Sequence, residues 1–224
     1  IRDTDRSRGL GDVYKRQLLH HQTDVAADYT CAYLKFDVPV GEKLTIRTAS
    51  SFISPEQAVI NFNREVADAD VQLISGKARE QWNNYLGRVE AEGGTDEQFR
   101  TFYSCLYRTL LFPREFYEFD SLGNPVYYSP YDGNVHDGYM YTDNGFWDTF
   151  RAVHPLFTLL YPEVSERVTQ SILNAYDESG FMPEWASPGH RGCMIGNNSV
   201  SLLVDAWMKL SLIHISEPTR PISI

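Results

Sequence analysis

The sequence predicts a multidomain protein of the β plus α class, with the tail of a β-sandwich or β-sheet domain, a helical linker, and an α/α toroid or bundle. Three observations predict this order. Apolar and polar residues alternate between Thr30 and Val38, which is the period of a half-buried strand. After Ile53 the apolar residues recur at helical spacing. From Thr95 onward, several helical segments follow one another, with glycine-, proline- and aromatic-rich loops between them.

The two ends of the chain do not read as protein sequence. Segments Ser7–Gln17 and Leu210–Arg220 can be encoded by the two strands of a single DNA element, a relation for which protein folding offers no reason. Both segments, with the residues outside them, are therefore predicted to be translated sequencing adaptor and are set aside. The predicted organisation is adaptor-derived residues at 1–17 and 210–224, the end of the β-sandwich at 18–54, the helical linker at 55–94, and the N-terminal part of the helical domain at 95–209.

Charge and composition exclude several classes of function. The chain carries 30 acidic and 20 basic residues, a net charge of −10, which disfavours nucleic acids and anionic lipid surfaces as partners. The three cysteines are widely spaced, without a CxxC pair, so neither a disulfide framework nor a thiolate metal site is expected. No apolar run approaches the roughly 20 residues that a membrane-spanning helix needs. The aromatic content of 13 % suits sugar-binding surfaces and large cores alike.

The first elements are a hairpin and two linker helices. The strand at Thr30–Val38 is followed by a turn at Gly41 and by β-branched and apolar residues over Lys43–Phe52, which together predict an antiparallel hairpin. Linker helices are predicted from Pro55 to about Glu65 and from about Gly76 to Val89.

A capping box opens the helical domain. In Thr95-Asp96-Glu97-Gln98, the threonine hydroxyl and the glutamine side chain can each satisfy a free backbone amide at a helix start. The helix that follows is apolar on one face and is predicted to continue until Pro113. Residues 113–144 are predicted to form a long aromatic loop, and such loops are usually functional. Further helices are predicted near Asp148–Leu160, Glu163–Glu178 (bounded by Pro162 and Gly180) and Asn197–Lys209.

Asp148 is the first candidate site residue, in the segment YTDNGFWDTFRAVHPL. Its carboxylate could accept hydrogen bonds from sugar hydroxyls while the ring of Trp147 covers an apolar face of the sugar. The alternative is a helix-start aspartate that pairs with Arg151 in the same turn. The residues by themselves leave both interpretations open.

A second candidate group lies in GFMPEWASPGHRG. Glu184, beside Trp185, could join Asp148 as the pair of carboxylates that glycoside hydrolysis requires. His190 and Arg191 lie on a glycine-flanked loop and could bind hydroxyl groups. A structural role for these residues stays open as well.

Several common catalytic motifs are missing from the sequence between the two end segments. His136 and His154 lack the HxxxH or HExxH spacing, which disfavours a zinc site. No GxSxG, P-loop or GxGxxG motif occurs there, which disfavours the common hydrolase, NTPase and dinucleotide folds.

Three long segments carry a specific resemblance to a known family. FYSCLYRTLLFPREF, NGFWDTFRAVHPLFTLLYPE and GFMPEWASPGHRGCMIGNNSVSLLVDAW, in this order and spacing, resemble the calcium-dependent exo-α-mannosidases of glycoside hydrolase family 92. The resemblance covers nearly all of residues 18–209 and is strongest from residue 99 onward. It implies an N-terminal β-sandwich, helical linkers and an (α/α)6 catalytic toroid, of which 95–209 would be the first part.

The resemblance also implies an activity and a set of partners. The expected reaction is inverting hydrolysis of terminal mannose, most commonly α-1,2-linked, in N-glycans or mannan, with Ca²⁺ as cofactor and export to a periplasm, cell surface or medium. Asp148 would contact the mannose that is released, Trp147 and Arg151 would shape its pocket, and Glu184 would have a supporting role. The family's acid and base lie later in its catalytic domain, so they are expected downstream of Lys209, and the chain alone is expected to be inactive.

Two other functions stay open at this stage. One is another (α/α)6 glycosidase, glucoamylase-like or trehalase-like, which would act on glucosides without calcium. The other is a non-catalytic carbohydrate-binding protein, which need not retain an acid and a base downstream of Lys209.

Overall fold

The computed structural model of the protein describes residues 7–12, 17–20 and 30–210, with side chains described from residue 35 to residue 209. The chain divides into two compact units, Ile1–Ile46 and Arg47–Ile224. The first unit contains one antiparallel sheet with strand order β2-β1-β3. Its strands are β1 (Ser7–Asp12), β2 (Gln17–His20) and β3 (Thr30–Lys35).

The predicted hairpin between Thr30–Val38 and Lys43–Phe52 is wrong. Strand β3 pairs with β1, whereas residues 43–50 form no strand, and Leu44 and Ile46 are exposed. Alternation of apolar residues makes a strand only where a neighbouring strand accepts its backbone hydrogen bonds. Strand β1 lies within the residues predicted to be adaptor-derived. That prediction concerns the DNA that encodes the segment, so the strand pairing does not test it. The second sheet of a sandwich stays an expectation.

The second unit begins with three helices. The predicted helix at Pro55 is confirmed as α1, which Ser54 caps by accepting a hydrogen bond from the amide of Gln57. The next helix starts five residues before the predicted Gly76, because the Asp70 carboxylate caps its first turn by accepting from the Leu73 amide at 2.7 Å. The helices are α1 (Pro55–Glu65), α2 (Val71–Leu86) and α3 (Asp96–Thr109).

The capping box at Thr95 is confirmed, since the Thr95 hydroxyl and the Gln98 side chain each accept a hydrogen bond from the other's backbone amide. The residues predicted as a long loop instead form two small antiparallel sheets, of order β4-β8 and β5-β6-β7. Gly123 and Gly133 lie at positive φ in the turns that join β5 to β6 and β6 to β7, which allows tight hairpins. The strands are β4 (Arg114–Glu115), β5 (Glu118–Phe119), β6 (Pro125–Tyr128), β7 (Val135–Asp137) and β8 (Tyr141–Thr142).

The helix predicted over Asp148–Leu160 is two helices, because Pro155 has no amide hydrogen to donate to the carbonyl of Arg151. Proline is tolerated in the first turn of a helix, so the chain restarts a helix at Val153. The helix from Pro162 is confirmed and ends at Gly180, whose φ is 78°. The remaining helices are α4 (Phe146–Thr149), α5 (Val153–Leu160), α6 (Pro162–Ser179) and α7 (Ser199–Leu210).

The main buried cluster of the second unit joins β8, α4, α6 and α7. Phe146, the first residue of α4, is 1 % exposed and points into this cluster. Trp147 and Asp148 follow it directly and are exposed, because successive helical residues point in different directions. The core therefore fixes α4 and presents two candidate site residues at the surface. The cluster consists of Tyr141, Phe146, Val168, Ile172, Ala186 and Leu202.

Candidate active site

A two-residue β-bridge joins the two segments that carry the predicted site residues. The backbone amide of Asn144 donates to the carbonyl of Ala186 at 3.0 Å, and the amide of Ala186 donates to the carbonyl of Asn144 at 3.2 Å. The bridge lies next to Gly145 on one segment and Trp185 on the other. It therefore brings residues about 40 positions apart in the sequence to one place.

Gly145 is the contact point between the two segments. A Cβ atom at this position would lie 2.7 and 2.8 Å from two ring atoms of Trp185 and 2.8 Å from Oδ2 of Asp148. The indole of Trp185 and the carboxylate of Asp148 thus both lie against the glycine backbone, and no larger residue fits without moving them. The structure therefore brings Asp148 and Trp185 together.

Arg151 supports Trp147 and does not pair with Asp148, so the predicted alternative of an Asp148–Arg151 ion pair is wrong. The guanidinium donates to the backbone carbonyl of Trp147 and stacks 4.5 Å from the centre of its ring and 4.4 Å from that of Phe150. Cation–π stacking on two rings competes successfully with an exposed ion pair, which contributes little in water. Among the described residues, the Asp148 carboxylate has no ion pair.

Glu184 braces the loop that carries Trp185. One carboxylate oxygen accepts from the backbone amide of Gly192 at 2.5 Å, and the other lies 3.4 Å from Nδ1 of His190. The other nitrogen of the His190 ring lies 2.8 Å from the hydroxyl of Ser179 at the end of α6. Partial burial raises the pKa of Glu184, but the backbone amides and His190 outweigh it, and the net pKa is lowered. Glu184 is thus held ionised within its loop.

Arg191, the last predicted site residue, is exposed on this loop. The bridge that closes the loop joins Ala186 to His190, so Arg191 lies directly beyond the closed turn.

A buried polar network beneath α4 escaped the sequence reasoning. The side-chain amide of Asn144 donates to Nε2 of His154 at 3.0 Å, while its oxygen accepts from the hydroxyl of Thr149 at 3.0 Å. Burial lowers the pKa of His154 to about 4, so the ring is neutral at pH 7 and Nε2 accepts. Asn144 therefore ties α4, α5 and the Ala186 bridge together. The feature of the sequence that could have indicated this network is the asparagine directly before Gly-Phe-Trp-Asp.

Comparison with known proteins identifies relatives for most of the chain. A family model described as the glycosyl hydrolase family 92 catalytic domain matches residues 57–217. A curated relative is an uncharacterized secreted glycosidase of Arthroderma benhamiae, 23 % identical over 79 % of this chain and 19 % of its own length.

Two solved structures from Bacteroides thetaiotaomicron resemble the chain closely. The family GH92 inverting mannosidase BT2199 is 92 % identical, with a TM-score of 0.85, over 90 % of this chain and 27 % of its own. The GH92 α-mannosidase BT3965, solved with mannoimidazole, is 25 % identical, with a TM-score of 0.72, over 91 % of this chain and 27 % of its own. The chain thus spans about a quarter of these enzymes.

The family match bears on the alternatives that the sequence left open. It covers the helices and both segments of the candidate site, which excludes a glucoamylase-like or trehalase-like family. The chain belongs to glycoside hydrolase family 92.

Proposed function

We propose that the full-length protein of this chain is an inverting exo-α-mannosidase that removes terminal α-1,2-linked mannose from N-glycans or mannan. The observation that carries the proposal is the 92 % identity, over 90 % of the chain, to an enzyme described as an inverting mannosidase. At this identity the residues that surround a substrate change little. The α-1,2 preference rests on the resemblance of the sequence segments to the family.

Asp148 and the two tryptophans form the proposed mannose-contacting surface. The Asp148 carboxylate has no ion pair among the described residues and lies against Gly145, where the ring of Trp185 also packs. Carboxylates accept hydrogen bonds from adjacent sugar hydroxyls, and a flat indole covers the apolar face of a pyranose. Trp147, stacked by Arg151, supplies a second exposed ring on the same short helix.

Glu184 is proposed as a positioning residue and not as the general acid. An inverting glycosidase needs one carboxylic acid with a raised pKa and a second carboxylate about 6.5–9.5 Å away that activates water. The pKa of Glu184 is lowered, and both of its oxygens are engaged with Gly192 and His190. We place the acid and the base downstream of Lys209, so the chain by itself would lack hydrolytic activity.

Calcium is proposed for the whole enzyme from the family resemblance. Ca²⁺ takes six to eight oxygen ligands. Within the part of the chain that the structure describes, one group of three or more potential metal-ligating side chains occurs, and it contains a histidine. This group suits a calcium ion less well than an all-oxygen ligand set would. The roles proposed for Asp148, Trp185 and Glu184 do not depend on the ion.

Export from the cytoplasm is proposed on one relative. The matched fungal protein is described as a secreted glycosidase. In the portion of the chain that the structure describes, none of the helices is both long enough and apolar enough to span a bilayer. A periplasmic, cell-surface or secreted enzyme would encounter mannose-containing glycans and glycoproteins outside the cytoplasm.

The test is mannose release by the full-length enzyme from α-1,2-mannobiose, with and without a calcium chelator. Proton NMR during the first minutes distinguishes β-mannose, the product of inversion, from α-mannose. We expect β-mannose and a loss of activity with the chelator. Release of α-mannose would overturn the inverting mechanism, and the absence of release from any α-mannoside would overturn the mannosidase.

The role of Asp148 is tested by Asp148→Asn, with Asp68→Asn as the matched control. Asp68 is an exposed carboxylate between α1 and α2. Loss of hydrogen bonds to a charged acceptor is expected to lower kcat/KM by about 10- to 100-fold in Asp148→Asn. The control should keep wild-type kinetics. Equal kinetics in the two variants would remove Asp148 from the site.

A further inference from the structure

We propose that Asp132, His136 and Glu178 form a binding site for a divalent transition metal of the zinc class. Each residue offers one ligand atom, and these atoms all lie within 4.8 Å of one another. None of the three is used by the proposed carbohydrate site. The spacing rules applied to the sequence disfavoured zinc, because the third ligand comes from a different element.

Two ligands belong to one hairpin and the third to a helix. Asp132 lies in the turn between β6 and β7, and His136 lies on β7, with its Nε2 atom 2.9 Å from Oδ2 of Asp132. Glu178 lies in the last turn of α6. Tetrahedral zinc with ligands at about 2.1 Å needs ligand atoms about 3.4 Å apart. The Asp132–His136 separation is 0.5 Å shorter than this value, and all three ligand atoms lie within 4.8 Å of one another, so small side-chain shifts would give tetrahedral spacing.

Outer hydrogen bonds orient the two carboxylates. The hydroxyls of Tyr127 and Ser129 each donate to one oxygen of Glu178, the latter at 2.5 Å. The backbone amide of Asn134 donates to Oδ1 of Asp132 at 2.8 Å, which leaves Oδ2 facing the histidine. Hydrogen bonds of this kind fix the direction of metal ligands and are part of a built site.

The local charge also favours a cation. Asp132 and Glu178 place two carboxylates within 4.8 Å of each other, and no lysine or arginine among the described residues forms an ion pair with either. Neutral imidazole with two carboxylates suits zinc and its neighbours in the transition series, whereas calcium prefers oxygen ligands throughout. With three protein ligands, a bound water would complete the tetrahedron. Bound metal would link the β6–β7 hairpin to the end of α6.

The test is zinc binding to the full-length enzyme after removal of metal with a chelator. The chain has three cysteines, Cys31, Cys105 and Cys193, whose thiols could bind zinc, so all proteins carry serine at these positions. The variants are Asp132→Asn and His136→Ala, and the matched control is Asp137→Asn, an exposed carboxylate on the same strand. Isothermal titration gives the stoichiometry and Kd, and thermal unfolding gives Tm with and without zinc.

We expect the parent and the control to bind one zinc equivalent more than His136→Ala. In Asp132→Asn, the Kd should rise about tenfold or more. Zinc should raise Tm in the parent and the control only, because a ligand that binds the folded state stabilises it. Should His136→Ala fail to fold, Asp132→Asn decides the question, since Asp132 is an exposed residue and asparagine has nearly the same shape. Equal stoichiometry and Kd in all proteins would overturn the proposal, as would calcium displacing zinc at similar concentration.

Discussion

The substitution Gly145→Ala tests the construction of the candidate active site directly. The added Cβ would lie 2.7 Å from the Trp185 ring and 2.8 Å from the Asp148 carboxylate, whereas normal carbon contacts are about 3.5–4.0 Å. Each of the two side chains must therefore move away from residue 145 by close to 1 Å. Overpacking of this kind costs about 1–3 kcal/mol in unfolding free energy.

Catalysis should be affected as well as stability. A displacement of about 1 Å in substrate-positioning groups lowers activity on the order of 100-fold. We expect kcat/KM of the full-length enzyme on α-1,2-mannobiose to fall by about that factor, measured beside urea denaturation. The matched control is Gly76→Ala in α2, where nothing lies within 4 Å of the new methyl group and helix propensity predicts a gain of up to about 1 kcal/mol.

Two results would refute this reasoning. Wild-type kcat/KM in Gly145→Ala would show that Trp185 and Asp148 do not position substrate from this contact. An equal loss of activity in Gly76→Ala would show that the loss in Gly145→Ala is not specific to the site.

Three further predictions concern stability. Glu163→Gln removes the ion pair with Arg88 and should lower the unfolding free energy by about 1 kcal/mol at pH 7. The hydrogen bond from Arg88 lowers the pKa of Glu163 in the folded protein. The extra stability of the wild type is therefore present above about pH 4.5 and is lost as pH falls through the folded-state pKa. An unchanged urea midpoint at pH 7 would contradict this. Gly180→Ala, at φ 78°, should cost about 1 kcal/mol, and an unchanged or higher Tm would count against the left-handed cap. Burial lowers the pKa of His154 to about 4, below its value in the unfolded chain. The unfolding free energy of the wild type should therefore fall by about 3 kcal/mol more than that of His154→Gln between pH 6.5 and pH 4. Parallel plots of unfolding free energy against pH for the two proteins would show that the ring is accessible to protons.

Elements with strong local signals were predictable. The capping box at Thr95, the proline at position 162 and the glycine at position 180 each act through their own backbone, and the helix boundaries that they predict are confirmed. The β-strand pairing was not predictable in the same way. The pairing of β3 with β1 and the two small sheets of residues 114–142 depend on which segments meet in space.

The sequence could predict one part of the candidate site and not the other. Asp148, Trp147 and Trp185 could be singled out from the sequence because carboxylates beside tryptophans suit sugar binding. Their roles as binding residues stay predictions. The partner of Arg151 could not be chosen from sequence, since the Asp148 carboxylate and the Trp147 ring are both within reach on one helical turn. In the folded chain Arg151 stacks on the Trp147 ring.

The sequence by itself determined several helix boundaries, the family and the residue types at the site, because propensity, caps and long motifs are written in contiguous residues. Only the tertiary structure decided which distant residues meet. The bridge between Asn144 and Ala186 places Trp185 against Gly145, and the end of α6 carries Glu178 to Asp132 and His136. Such contacts join positions about 40 residues apart, and their formation depends on the core that Phe146 and its neighbours bury, which no local pattern specifies.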